Sequence, residues 1–200
     1  VTDQEAIGEN YRDAVLTEQQ WSGRRFTACD FTDADLRGLQ TSNCSFVECD
    51  FTRADLGDSR HRASGFQGCT FDRTVLAGSE WRDCSLAGSA FTECRMRPIT
   101  LHETDLTLVS LGGASLRGVS FRGLRMREAN LTGSDLREAD LRDTDLRSAR
   151  LSDARLEDAD LRGAAVEGAA LAVAVLSGAR VDVDTALAYA AAMGLRIQLD

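Results

Sequence analysis

A large apolar residue returns every five positions, in one unbroken frame, from Phe26 to Val181. The frame runs Phe26, Phe31, Leu36, then Phe46, Phe51, Leu56, and later Leu131, Leu136, Leu141, Leu146, Leu151, Leu156 and Leu161. Of its 32 positions only Thr41 and His61 are not apolar. Helices repeat near 3.6 residues and strands near 2, so neither accounts for a period of five. A short strict period is the mark of a solenoid, in which each turn buries its apolar side only against its neighbours.

A second register runs beside the first. Two residues before most frame positions sits a small one, as at Cys29, Ala34, Ala54, Ser64, Ala139 and Ala159. The unit is plain in Ala34-Asp35-Leu36, Ala54-Asp55-Leu56, Ala139-Asp140-Leu141 and Ala159-Asp160-Leu161. In this pattern the chain resembles the pentapeptide-repeat family. The resemblance implies an all-β fold, a right-handed quadrilateral parallel β-helix with four units per coil. The large and small residues then point inward and the other three face water. At four units per coil the frame supplies about eight coils, roughly 38 Å of stacked strands at about 4.8 Å each.

The ends depart from the frame. Residues 1–20 read as an N-terminal acidic extension, with Asp3, Glu5, Glu9, Asp13 and Glu18 against Arg12. Glu9 to Gln20 is open to two readings, a short helix or a disordered tail. The start Val1-Thr2-Asp3-Gln4-Glu5 is unlike a signal peptide. Residues 21–181 are the expected β-helix, with an irregular first turn because Arg24 occupies a small inward position. Residues 182–200 are expected to form a short C-terminal α-helix that plugs the last coil. Asp182 or Asp184 offers an N-cap, Thr185 to Met193 is rich in helix formers, and Gly194 suits the stop. Leu187, Tyr189, Ala190, Met193 and Leu195 give this segment apolar surface suited to a two-fold dimer contact.

Catalytic and metal chemistry find little support. All six cysteines (Cys29, Cys44, Cys49, Cys69, Cys84, Cys94) fall at the small inward position and no C-x-x-C pair occurs, so buried thiols in a reducing cytoplasm are expected. Thr41 and His61 are 20 residues apart and should be stacked neighbours, with their hydroxyl and imidazole open to bonding each other or the backbone and the histidine either satisfied there or displaced to the surface. Pro98 should disturb one wall, since it removes a ladder donor. Gly78, Gly88, Gly113, Gly118, Gly123 and Gly133 fall at corners, where backbone freedom is needed. No nucleophile–base motif, cofactor motif or run of about 20 apolar residues is present, so neither an enzyme nor a membrane span is expected.

The formal net charge is −9, and every one of the 23 cations is an arginine. Acids concentrate in residues 26–58 and 128–160, and arginines between them. Duplex DNA carries one charge per about 1.7 Å, far denser than this chain, so any imitation of DNA must be local. Direct nucleic-acid binding is not expected, because acids dilute the arginines and no aromatic platform faces out. Segments outside the generic repeat carry a narrower resemblance: Arg95-Met96-Arg97-Pro98-Ile99-Thr100-Leu101, Thr107-Leu108-Val109-Ser110-Leu111-Gly112-Gly113 and Gly178-Ala179-Arg180-Val181-Asp182-Val183-Asp184. They are similar to a branch of the family linked to fluoroquinolone resistance. That resemblance implies a DNA-mimicking inhibitor or modulator of DNA gyrase, a homodimer through its C-terminal helices, with the gyrase subunit undetermined. The acidic face expected to meet gyrase comprises Asp135, Glu138, Asp140, Asp143, Asp145, Asp158 and Asp160. A general interaction scaffold with another cytoplasmic partner is the alternative.

Overall fold

A computed structural model describes residues 5–198. Asp3, counted above in the acidic extension, lies outside the described residues. The chain groups into two compact units, Val1–Ser110 and Leu111–Asp200.

The first unit is a four-sided parallel β-solenoid with a 20-residue register. One wall stacks β1 (Glu5–Ile7), β3 (Arg25–Thr27), β5 (Ser45–Val47) and β7 (Gly65–Gln67). A second stacks β2 (Gln20–Ser22), β4 (Gln40–Ser42), β6 (Arg60–Arg62), β9 (Ser79–Arg82) and β11 (Ile99–His102). A third pairs β8 (Thr70–Asp72) with β10 (Ala90–Thr92). Each coil is tied to the next by bonds such as Phe31 N–H to Asp50 C=O at 2.7 Å and Leu36 N–H to Asp55 C=O at 2.8 Å. Regular strands stack at most five deep, against about eight coils expected from the frame. Sides are only a few residues long, and elsewhere neighbouring coils meet through single bridges such as Asp35↔Asp55.

The frame residues fill the interior as columns. Tyr11, Phe31, Phe51, Phe71 and Phe91 stack nearly parallel, with centroids 4.6–5.0 Å apart. Phe26, Phe46 and Phe66 form a second column. The 20-residue repeat places identical rings one strand spacing apart, which is why the same residue type recurs along a wall. Five cysteines are buried and Cys94 is half-buried; all are free thiols. Their S–H groups point at backbone carbonyls, as Cys94 does to Phe71 at 3.1 Å.

Residues 5–20 correct the sequence expectation. They form neither a helix nor a tail: β1 pairs with β3, and Asn10 and Val15 bridge to Asp30 and Asp35. Ala6, Tyr11 and Leu16 therefore begin the frame, hidden in sequence because Ala6 and Tyr11 are atypical in size and polarity. Arg24 does not make the next turn irregular. Its guanidinium lies over the rings of Trp21 and Phe26, at 5.1 and 4.8 Å from their centroids, and so covers apolar surface with a cation.

Corners obey one rule. The residue two after each frame position has positive φ, whether glycine, as at Gly38 (+67°), or not, as at Asp33 (+58°) and Arg53 (+58°). Between Ala28 and Gly163 only Pro98 breaks it, because the proline ring fixes φ near −65°.

The second unit repeats the register with a leucine core, buried from Leu131 through Leu161. Bridges Ser115↔Asp135, Asp140↔Asp160 and Asp160↔Arg180 mark its coils. The frame does not continue unbroken to Val181. A helical turn, α1 (Gly168–Leu171), replaces one side, and Asp153 N–H bonds to Val173 C=O, one residue further on than at the other corners, a step shared by Gly78 N–H and Pro98 C=O. The final helix α2 (Val183–Ala192) is where it was expected, N-capped by Asp182, whose side chain accepts from Thr185 N–H at 2.9 Å. The helices meet at Gly168, where a Cβ would lie 2.2 Å from Ala188 O. Only glycine lets the α2 backbone come so near, and that close approach fixes α1 against it.

Candidate partner-binding surfaces

Carboxylates occupy two distinct places in each coil. The first is the position before the large frame residue, a leucine or phenylalanine. There the side chain accepts from the backbone N–H two residues on, as Asp50 does from Thr52 at 2.8 Å and Asp55 from Gly57 at 2.9 Å. This Asx-type turn is the reason aspartate precedes leucine in the repeat. Where arginine follows the leucine, the same carboxylate is also clamped by it. Asp135 meets Arg137 at 2.7 and 2.6 Å, Asp140 meets Arg142 at 2.8 and 2.6 Å, Asp145 meets Arg147 at 2.8 and 2.6 Å, and Asp160 meets Arg162 at 2.9 and 2.6 Å. These forked bonds hold the Asp135 and Asp160 carboxyls down at about 2, and lower those of Asp140 and Asp145.

The second place is the positive-φ corner. Glu138 pairs with Arg117, and Asp143 lies 3.4 Å from Arg122. Asp158 has no arginine within ion-pair distance among the described residues. Its Oδ1 sits 2.3 Å from where a Cβ of Gly178 would stand, one coil on. Asp143 makes the same approach to Gly163, at 2.5 Å. The missing side chain of the glycine is thus the space the acid fills.

The seven sequence-predicted acids therefore do not form one uniform negative face. Asp135, Asp140, Asp145 and Asp160 are turn-forming, arginine-bound groups; Glu138 and Asp143 share arginines across coils; Asp158 stands without one. Within residues 128–160 the same test adds two acids absent from the expected face, Glu128 and Asp153, exposed at corners of φ +56° with no arginine partner among the described residues; corner acids of the first unit such as Glu48 and Asp58 share this state. Their signal was available, since both fall in the corner register that glycine otherwise fills.

The apolar surface at the C-terminal end is broader than expected. Met193 and Leu195 are exposed, whereas Leu187, Tyr189 and Ala190 are half-covered by their own unit. Val173, Val175, Val183 and Ile197 are also exposed; the sequence reading missed them because the five-residue frame did not single them out. The described residues also bring Asp83, His102 and Glu103 to one exposed corner with donor atoms within 4.8 Å of one another. Two carboxylates and an imidazole on an open corner do not of themselves define an ion site.

His61, the one inward residue with catalytic potential, is fully engaged. Its Nδ1 is 2.9 Å from Thr41 Oγ1 and its Nε2 2.9 Å from Ser59 Oγ. The Ser59 hydroxyl donates to Leu56 C=O at 2.7 Å, so in the neutral ring Nε2–H donates to Ser59 Oγ and Nδ1 accepts from the Thr41 hydroxyl, whose oxygen also lies 3.0 Å from Ser64 Oγ. Burial lowers the imidazole pKa to about 3, so it is neutral.

A stack of five-residue units, each with one large and one small inward side chain and an Asx turn between walls, defines a recognised class of solenoid. The family profile described as pentapeptide repeats matches eight copies over residues 29–60, 84–123 and 125–163, and the chain belongs to that family. Among curated proteins, the pentapeptide repeat protein MfpA of Mycobacterium tuberculosis (strain ATCC 25618 / H37Rv) is 57% identical over 30 residues. That match spans 15% of this chain and 16% of MfpA. Among solved structures, trypsin-treated R167E QnrB1, a plasmid-mediated fluoroquinolone resistance protein, superposes with a TM-score of 0.73 at 21% identity, covering 97% of each chain. Full-length QnrB1 gives 0.65 at 21% identity over 96% of this chain and 97% of that one. These likenesses establish the fold. No helix of the described residues is long and apolar enough to cross a membrane.

Proposed function

We propose that this chain is a cytoplasmic, non-enzymatic ligand of DNA gyrase that imitates DNA locally and protects the enzyme from fluoroquinolones. Family membership, the short match to MfpA and the segments outside the generic repeat support the reading. The structural observation that carries it is the set of corner carboxylates left without arginine, Glu128, Asp153 and Asp158, in the second unit. An acid already held by a neighbouring arginine has little charge to offer a basic partner; a free corner acid offers all of it. Residues 182–200, with the exposed Val183, Met193 and Leu195, are the contact between two copies in this proposal.

The test is a gyrase supercoiling and drug-stabilised cleavage assay with the full chain at micromolar concentration. Reduced cleavage and salt-sensitive inhibition of supercoiling are expected; no effect on either overturns the reading. One observation favours a general scaffold instead: seven of the ten acids in residues 128–160 are already ion-paired. Capture of another cytoplasmic protein, with gyrase unaffected, decides for that alternative.

A further inference from the structure

The five-stranded wall of the first unit carries a groove of about 500 Å³ that neither the repeat nor the proposed function requires. Residues on either side of each inward side chain form its two rims, and its floor is the main chain of Trp21, Thr41 and His61, whose side chains are buried. One end is neutral, with Gln20, Gln40 and serines. The other is cationic, and there the register sets like charges side by side: Arg62 on β6 is paired directly with Arg82 on β9. Neighbouring strands are about 4.8 Å apart, and like charges placed opposite each other on a sheet destabilise it.

The acid nearby does not resolve this. Glu80 lies 3.7 Å from Arg60 and 3.5 Å from Arg82, both long, exposed contacts. Arg62 has no acidic partner among the described residues. The groove end thus presents three guanidinium groups against one carboxylate.

We propose that this groove binds a small ligand bearing a di- or triphosphate chain, with Arg62 and Arg82 on the phosphates. Guanidinium groups bind phosphate oxygens in forked pairs, and an anion between two stacked arginines turns their repulsion into two attractions. The volume lies in the range of ordinary small-molecule sites, about 300–1,000 Å³. The neutral end leaves amides and hydroxyls for the body of such a ligand, which a nucleotide has and inorganic polyphosphate lacks. The proposal stands apart from gyrase binding, since it uses a different unit and the opposite charge.

The test is calorimetric titration of the full chain with inorganic tripolyphosphate and with ATP, at ionic strength matched by NaCl. Saturable binding of both is expected; tighter ATP identifies a nucleotide, and equal affinities identify the bare phosphate chain. Arg62→Glu should weaken either ligand tenfold or more without lowering the thermal midpoint, since it replaces a like-charge pair with an opposite-charge one. Glu80→Gln should strengthen binding severalfold, because it releases Arg60 and Arg82 from their competing acid. Arg127→Glu, in the other unit, should change nothing. The proposal is overturned by the absence of saturable binding, by equal losses in Arg62→Glu and Arg127→Glu, or by an affinity unmoved in Arg62→Glu and Glu80→Gln.

Discussion

At the scale of single residues, the buried Thr41–His61–Ser59 chain of hydrogen bonds makes acid stability specific to one imidazole. His61 has an ordinary pKa near 6.5 once unfolded and about 3 when folded. Below 6.5 the unfolded chain takes up a proton that the folded one refuses, so stability falls as pH drops from 6.5 toward 3. The loss reaches about 3 kcal/mol by pH 4, at about 1.36 kcal/mol per unit. Urea midpoints measured between pH 7 and 4 should decline in the parent and stay nearly level in His61→Gln, and a parent curve as flat as the variant's refutes the assignment. The clamped carboxylates act in a lower window. Asp135 and Asp160, held at about 2, add stability that is present above the unfolded carboxylate value near 4 and lost as pH falls toward 2. The stacking of Thr41 on His61 was legible from their spacing of 20; that His61 stays buried and bonds Thr41 rather than the backbone was not. The role of Asp135 was not: an aspartate two residues before an arginine reads equally as free surface charge until the turn brings the forked bond into view.

At the scale of elements, corners and helix ends depend on few atoms. Gly178 has φ +74°, and its missing Cβ makes room for the Asp158 carboxylate. Gly178→Ala should cost about 1–2 kcal/mol, from the strained backbone and the displaced acid, read as a lower thermal midpoint; an unchanged midpoint tells against the shared corner. Asp182 caps α2 and also accepts from Gly163 N–H at 3.0 Å. Asp182→Ala should therefore exceed the usual cost of about 1 kcal/mol for a lost cap, with part of the helical circular-dichroism signal lost before the β signal. The helix α2 was legible because its cap, alanine run and closing Gly194 are local signals. The turn α1 was not, since Val166 and Leu171 keep the five-residue frame and only the contact between Gly168 and Ala188 betrays a helix.

For the whole molecule, the frame dictates the solenoid, while the charge open to a partner depends on which acids the arginines hold. Glu128→Lys, Asp153→Lys and Asp158→Lys together should weaken gyrase binding tenfold or more, whereas Asp135→Asn should weaken it far less. The reverse ranking, measured by calorimetry at two salt concentrations, removes the corner acids from the interface. Met193→Asp with Leu195→Asp should convert a dimeric solution mass to a monomeric one; a mass already monomeric in the parent disposes of the C-terminal contact. The 20-residue register that stacks Asp140 on Asp160 has a last consequence, for inheritance. Excising five residues from the second unit would advance every later side chain by one quarter revolution, sending each inward column under a different wall and separating partners such as Asp143 and Gly163. Excising twenty would merely shorten the pile and leave every alignment intact, so gene duplication and loss in this lineage should be tolerated in steps of sixty nucleotides and resisted at fifteen.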